Sequence, residues 1–274
     1  MSAITQGTAA GLSYLARAGD GMPVVLLHGI GSNARSFEPL MAAFDARHRV
    51  LAWDAPGYGD SPPLAVDWPD ASDYAAALNR LLAKLGISRC ILVGHSLGTL
   101  IAARFALVSP NHVAMLCLIS PSLGGGAEKG VALPPAVAQR IEQLDRLGPE
   151  QFAAARAPSL LADPAARPDV LQSVVRAMAA VRRPGYDQAA RMLAVGRMLD
   201  DAAKITTPTA VMVGLQDRIT PPENARRVFD ALSSSAQREF FEIPDAGHAV
   251  CQEHPVEVAR AIASIVDHKA TAHA

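Results

Sequence analysis

Short apolar runs recur along the chain, and the stretches between them space their apolar residues three or four apart. The runs show no alternation with polar residues, which is typical of strands covered on both faces of a sheet. They lie at residues 23–27, 49–53, 88–93, 113–119, 209–213 and 239–243. Residues 1–19 add two strands around a turn near Ala10 and Gly11.

Helical spacing fills several of the stretches between these strands. The predicted helices lie at residues 36–44, 71–85, 97–108, 222–232 and 256–266. Strands that alternate with helices need crossover connections, and right-handed crossovers produce a mostly parallel sheet. The pattern therefore predicts an α/β fold.

One segment breaks this alternation. From Gly124 to about Ala203 no convincing strand is found, and prolines and glycines divide the segment into several predicted helices. We expect a helical insertion over the carboxyl ends of the strands, with residues 1–123 and 204–274 forming the core. The alternative is a series of ordinary crossover helices.

Composition sets limits on function. The chain has 274 residues, enough for a large core, and half of them are hydrophobic. A formal net charge of −1 gives no reason to expect binding to nucleic acid or to a membrane surface. The sequence predicts a small molecule as the partner and leaves monomer and homodimer open.

The three cysteines favour a reducing compartment. Cys90 and Cys117 lie in apolar runs and are predicted to be buried thiols, and Cys251 makes the count odd. No signal peptide is evident in residues 1–20, and no apolar run reaches the length of a membrane helix. We therefore expect a cytoplasmic protein. No His, Cys or Asp cluster has the spacing of metal ligands, so neither a metal nor another cofactor is predicted.

The pentapeptide Gly94-His95-Ser96-Leu97-Gly98 directly follows the apolar run of residues 90–93. A serine on a sharp strand-to-helix turn has a strained backbone and an exposed hydroxyl, and the close crossing of strand and helix requires very small neighbours. Ser96 is therefore a candidate nucleophile.

A serine hydroxyl needs a base, and the base needs an acid that orients it. Asp217 and His248 follow two later strands, in the order Ser, Asp, His along the chain. Both lie at carboxyl ends of predicted strands, where open α/β sheets bind their ligands. We expect Ser96, His248 and Asp217 to form a catalytic triad. Each alone has a structural interpretation: a chance motif, a turn aspartate or a surface histidine.

The developing oxyanion needs two hydrogen-bond donors. The main-chain N–H of Leu97 is one candidate, and the N–H of Ile30, in the loop of residues 28–31, is the other. Gly31 is a possible substitute and is also a candidate substrate contact. We expect His28 to form structural hydrogen bonds in that loop. We expect His95 to point away from the site, because neighbouring side chains on a turn diverge.

These motifs resemble those of the α/β-hydrolase superfamily over nearly the whole chain. The matching residues are 28–31, 54–61, 94–98, Asp217 and 247–248. The resemblance implies an eight-stranded sheet in a three-layer α/β/α arrangement with a helical cap, formed here by residues 124–203. The implied mechanism is attack by Ser96 to give an acyl-enzyme, followed by hydrolysis.

The substrate is harder to predict. A cap arginine that points inward would bind a substrate carboxylate, and Arg183 is our candidate, although an outward or packing role is the simpler interpretation. Trp53 is a candidate lining residue that is equally plausible in the core. An ester or lactone is the first substrate hypothesis. The alternatives are hydrolysis of a C–C bond in an aromatic ring-cleavage dienoate, and a non-catalytic small-molecule binder. Acyl transfer to CoA is less favoured, because no glycine-rich phosphate loop is evident.

Overall fold

A computed structural model of the chain describes residues 3–235 and 237–271. The predicted strands are all present and shift by at most three residues at their ends. They are β1 (Ile4–Ala9), β2 (Leu12–Arg17), β3 (Val24–Leu27), β4 (Val50–Trp53), β5 (Cys90–His95), β6 (Val113–Ile119), β7 (Thr209–Gly214) and β8 (Arg238–Ile243).

These strands form one eight-stranded sheet in the order β1-β2-β4-β3-β5-β6-β7-β8. β1 and β2 form a hairpin, and β2 pairs antiparallel with β4. All other neighbours are parallel. The prediction of a mostly parallel sheet is therefore confirmed, and the carboxyl ends of β3, β5, β6, β7 and β8 meet at one edge.

The predicted helices are also present. They are α1 (Glu38–Ala43), α2 (Ala71–Lys84), α3 (Leu97–Val108), α8 (Pro222–Ala231) and α10 (Pro255–Thr271). The first differs in detail, because the chain enters α1 through a short 3₁₀ helix, Ala34–Phe37, which Asn33 caps. A further short helix, α9 (Val250–Glu253), follows β8.

Helices cover both faces of the sheet, which gives the three layers. Side chains alternate along β3, so that Val25 belongs to the buried cluster that includes residues of α2, α3 and α8, while Val24 belongs to the cluster on the opposite face that includes residues of α1 and α10. Both valines are fully buried. The continuous apolar runs follow from this double coverage.

The segment of residues 124–203 lies between β6 and β7 and contains no strand. Its helices are α4 (Pro135–Arg156), α5 (Pro168–Ala179), α6 (Gly185–Val195) and α7 (Met198–Ala202). Gly148 interrupts α4 with φ 70° and ψ 165°, a conformation that favours glycine, so the helix turns sharply there. The segment forms hydrogen bonds with the rest of the chain. Among them are those between the side-chain amide of Gln188 and the main chain of Leu64 and Val66.

The cysteines are free and buried, as predicted for Cys90 and Cys117. No helix in the described part of the chain has both the length and the apolar character needed to cross a membrane. Among the same residues, no group of three His, Cys, Asp or Glu side chains is placed to hold a metal ion.

Candidate active site

Ser96 occupies the single residue between β5 and α3. Its backbone has φ 53° and ψ −118°, a strained conformation for a non-glycine residue, and its side chain is almost buried. The turn needs small neighbours, because a Cβ on Gly94 would lie 2.5 Å from the carbonyl oxygen of Gly98. A Cβ on Gly98 would collide with the carbonyl oxygen of Leu27. The glycine spacing of the motif therefore has a direct steric cause.

Asp217 and His248 form a buried pair beyond the ends of β7 and β8. The Nδ1 of His248 lies 2.9 Å from Oδ2 of Asp217. The second oxygen of Asp217 accepts hydrogen bonds from the N–H groups of Ile219 at 2.8 Å and Thr220 at 2.9 Å. The carboxylate is thus fixed in orientation and holds one nitrogen of the imidazole.

The surroundings of Asp217 favour its ionised form. Burial alone would raise the pKa of this carboxyl, but hydrogen bonds and charge from His248, together with the two N–H groups, lower the pKa to about 2. Asp217 is therefore a carboxylate at neutral pH and stabilises positive charge on the ring of His248.

The main chain around His248 is held from several sides. The Gly247 N–H donates to Glu253 Oε2 at 2.7 Å, and the Ala249 N–H donates to the carbonyl oxygen of Leu160 at 2.9 Å. The carbonyl oxygen of His248 itself accepts from Nε2 of His95 at 2.8 Å. The expectation that His95 points away from the site is wrong, because its ring packs 5.0 Å from that of His248.

Ser96 and His248 both line a cavity that has two lobes. An apolar lobe is lined by residues that include Phe37, Val174, Ala177 and Cys251. A second lobe, which we call the arginine lobe, includes Arg140, Phe152, Arg156 and Tyr186. Ile30, Gly31, Ser96, Leu160 and His248 belong to both. A substrate bound across the lobes would therefore pass Ser96.

The two predicted oxyanion donors flank Ser96. Ile30 and Leu97 both line the arginine lobe, and neither main-chain N–H donates to another described residue. His28 orders the loop that carries Ile30, since its Nδ1 bonds to the Gly29 carbonyl at 2.9 Å and its Nε2 accepts from the Ala55 N–H at 3.0 Å. Burial lowers the pKa of His28, which keeps the ring neutral in this structural role.

The family is decided by sequence comparison. A model described as "Alpha/beta hydrolase family" matches residues 24–261. The chain belongs to the alpha/beta hydrolase family.

Among the curated relatives of this hydrolase is the dihydrolipoyllysine-residue acetyltransferase component of the acetoin cleaving system of Pseudomonas putida. The two are 30% identical over 246 residues, which is 87% of this chain but 61% of that protein. A second relative, the 2-hydroxy-6-oxononadienedioate/2-hydroxy-6-oxononatrienedioate hydrolase 2 of Pseudomonas putida, is 27% identical over 89% of this chain and 87% of its own.

Solved structures agree with the fold. The enol-lactonase of Burkholderia xenovorans LB400 superimposes with a TM-score of 0.83 at 19% identity, covering 96% of this chain and 100% of that one. A thermophilic esterase from Thermogutta terrifontis, described as malate bound, gives a TM-score of 0.82 at 25% identity over 97% and 99% of the two chains. The predicted hydrolase fold is thus confirmed.

Two candidate substrate residues lie elsewhere. Trp53, at the end of β4, is fully buried in the core and lines neither lobe, because both faces of that strand are covered. Arg183 also lies outside both lobes, and its guanidinium pairs with Asp187 at 2.7 Å and Asp145 at 2.8 Å. The prediction of Trp53 and Arg183 as substrate contacts is wrong, whereas Gly31 does line the cavity.

Two other arginines, Arg140 and Arg156, do reach the cavity, although their residue type and position in the sequence do not single them out. Arg140 and Arg156 lie sixteen positions apart on α4, on either side of the turn at Gly148. No helical spacing links them. The turn residue Gly148 was the available signal, because it predicts a change of helix direction between the two arginines.

Proposed function

We propose that this hydrolase cleaves a small carboxylic ester or lactone through a covalent acyl-enzyme on Ser96. Asp217 orients His248, which takes the proton of the Ser96 hydroxyl as that oxygen attacks the carbonyl carbon. The N–H groups of Ile30 and Leu97 stabilise the oxyanion. His248 then protonates the leaving alcohol and activates the water that releases the acid.

The main support is the 2.9 Å contact between His248 Nδ1 and Asp217 Oδ2, together with a serine on a strained turn that lines the same cavity as His248. No hydrogen bond joins Ser96 Oγ to His248 Nε2, and neither atom bonds to any other described residue. Their pairing during the reaction is therefore part of the proposal, and its support is that both residues line the same cavity. Removing one oxyanion donor costs about 3 kcal/mol in comparable enzymes, so the two N–H groups supply much of the stabilisation that this chemistry needs.

We further propose that residues 124–203 form a cap over the core of residues 1–123 and 204–274. The support is that Phe152, Leu160 and Met178, all from this segment, line the cavity opposite Ser96. The cap would thereby set substrate specificity and exclude water.

Ester hydrolysis and serine labelling test the proposal together. We expect the enzyme to hydrolyse 4-nitrophenyl butyrate and to react with a fluorophosphonate probe at Ser96, with both activities lost in Ser96→Ala. Ser109→Ala, at the other end of α3, is the control and should retain both. Hydrolysis that persists in Ser96→Ala would contradict the assignment of the nucleophile. Absence of turnover and labelling in the native protein would instead favour a non-catalytic binder.

Hydrolysis of a C–C bond is the second candidate, and it is supported by the relative that acts on 2-hydroxy-6-oxononadienedioate. The same triad would serve both reactions. Turnover of a ring-cleavage dienoate without turnover of simple esters would favour this candidate, and the reverse result would favour the esterase.

A further inference from the structure

The arginine lobe contains two guanidinium groups and no carboxylate. Arg140 and Arg156 line it together with Ser96, Phe152 and Tyr186, and no Asp or Glu is among the described residues of its wall. A wall of this composition is positively charged and partly apolar, directly beside the candidate nucleophile.

The turn at Gly148 brings these two arginines to one lobe. Arg140 lies in the first half of α4, and Arg156 is its last residue, beyond the turn. Arg156 makes a cation–π contact with Phe152, since its guanidinium carbon lies 5.3 Å from the centre of that ring. Phe152 in turn packs edge-to-face against Tyr186, with 5.6 Å between the ring centres. Arg156 is therefore held in place by aromatic packing, at the end of the second half of α4.

Neither arginine has an acidic partner. Among the described residues, no carboxylate oxygen lies within 4.0 Å of Arg140 or Arg156. Arg183 and Arg197 of the same segment, by contrast, each pair with an aspartate. Both unpaired arginines are half-buried. Burial lowers the pKa of Arg156, and the charge of Arg140 lowers it further. Two like charges that share a partly desolvated wall repel one another, and an anion between them would relieve that repulsion.

We propose that Arg140 and Arg156 bind a carboxylate of the substrate, so that the enzyme acts on acidic esters or lactones. This inference rests on the proposed function, because the carboxylate is placed relative to the bond that Ser96 attacks. The guanidinium fork suits a carboxylate, to which it donates two parallel hydrogen bonds. The apolar lobe on the other side of Ser96 takes the uncharged part of the substrate, against Phe37, Val174 and Ala177.

Two substrates that differ in one charge test the proposal. Mono-4-nitrophenyl adipate carries a free carboxylate, and its methyl ester is neutral but nearly the same size. We expect kcat/KM to be at least tenfold higher for the acid in the native enzyme. Arg140→Gln and Arg156→Gln should each reduce this preference about tenfold, because each removes charge-assisted hydrogen bonds that only the acid makes. Arg146→Gln, exposed on the same helix, is the matched control and should preserve the preference.

Direct binding separates this inference from the proposed function. We expect titration calorimetry to give the same Kd for adipate with the native protein and with Ser96→Ala. The double variant Arg140→Gln/Arg156→Gln should bind adipate at least tenfold more weakly. Thermal melting of the double variant confirms that it is folded. Equal adipate binding by the native protein and the folded double variant would overturn the carboxylate site, as would an acid preference that both single substitutions leave unchanged. Methyl ester hydrolysis that survives in Ser96→Ala would instead overturn the catalytic assignment and leave the binding result to decide the arginine site.

Discussion

His95 Nε2 lies 2.8 Å from the main-chain carbonyl oxygen of His248. A carbonyl only accepts, so this nitrogen of His95 carries a proton and fixes the tautomer of the ring. The two histidines come from β5 and from the loop after β8, more than 150 positions apart. This hydrogen bond therefore connects the turn that carries Ser96 to the loop that carries His248.

We expect His95→Ala to lower kcat for 4-nitrophenyl butyrate roughly 10- to 100-fold with little change in KM, because a small displacement of a catalytic base reduces the rate steeply. The rate of fluorophosphonate labelling should decrease in parallel. His95→Gln keeps an N–H donor at a similar reach and should recover part of the loss. An unchanged kcat in His95→Ala would show that the loop holds His248 without this bond.

Glu253 is a second support of the same loop. This carboxylate is 2% exposed and accepts from the N–H of Gly247 at 2.7 Å and from that of Ala162 at 2.8 Å. Glu253→Gln places an amide NH₂ against one of these donors, so that a buried N–H loses its acceptor. We expect the free energy of unfolding in urea to decrease by about 1–3 kcal/mol, and kcat to decrease as the loop loosens.

The matched control for Glu253 is Glu257→Gln. Glu257 lies nearby on α10, and its half-exposed side chain makes a long contact of 3.9 Å with His254. We expect this substitution to change the free energy of unfolding by less than about 0.5 kcal/mol. Equal effects of the two substitutions would mean that the buried hydrogen bonds of Glu253 do not stabilise the fold more than the exposed contact of Glu257.

The strands and the order of the site residues could be predicted from the sequence because each depends on local chemistry. Continuous apolar runs such as Val113–Ile119 follow from coverage of both sheet faces. The Gly94 and Gly98 spacing follows from the close crossing of strand and helix. Asp217 and His248 could be placed together because the carboxyl ends of parallel strands share one edge. The catalytic roles of these residues stay predictions.

Substrate contacts could not be predicted in the same way. Whether an arginine faces the cavity depends on how the helices of residues 124–203 pack. The sequence alone does not show this packing, so it does not show which arginines point inward. Arg183 lies beside Asp187, one helical turn away, and is neutralised there. Arg140 and Arg156 lie on either side of the turn of α4 at Gly148, and both line the cavity. The role of Glu253 was equally hidden, because it depends on two N–H groups that are distant in the sequence from each other.

The Thr220 hydroxyl is placed between both partners of the Asp–His pair. It lies 2.9 Å from Asp217 Oδ2 and 3.2 Å from His248 Nδ1. Thr220→Val keeps the shape but removes these contacts, and we expect kcat for 4-nitrophenyl butyrate to decrease about tenfold with an unchanged KM. Thr220→Ser keeps a hydroxyl and should retain most of the activity. Similar kinetics for the valine and serine variants would contradict a positioning role for the hydroxyl.

Acid should destabilise the fold through His95. Burial, followed by repulsion from His248, lowers the pKa of His95 to about 3 from an ordinary value near 6.5. Between these values the unfolded chain binds a proton that the folded chain does not, so the stability contributed by neutral His95 is lost as the pH falls from about 6.5 towards 3. The lowered pKa of Asp217 acts in the same direction but at lower pH, between its ordinary value and about 2.

His95→Gln removes one titrating group, so the slope of unfolding free energy against pH should decrease by up to about 1.4 kcal/mol per pH unit. Urea unfolding at pH 7, 5.5 and 4.5 measures this slope. An identical slope in the variant would mean that His95 takes up its proton over the same pH range in the folded and unfolded protein.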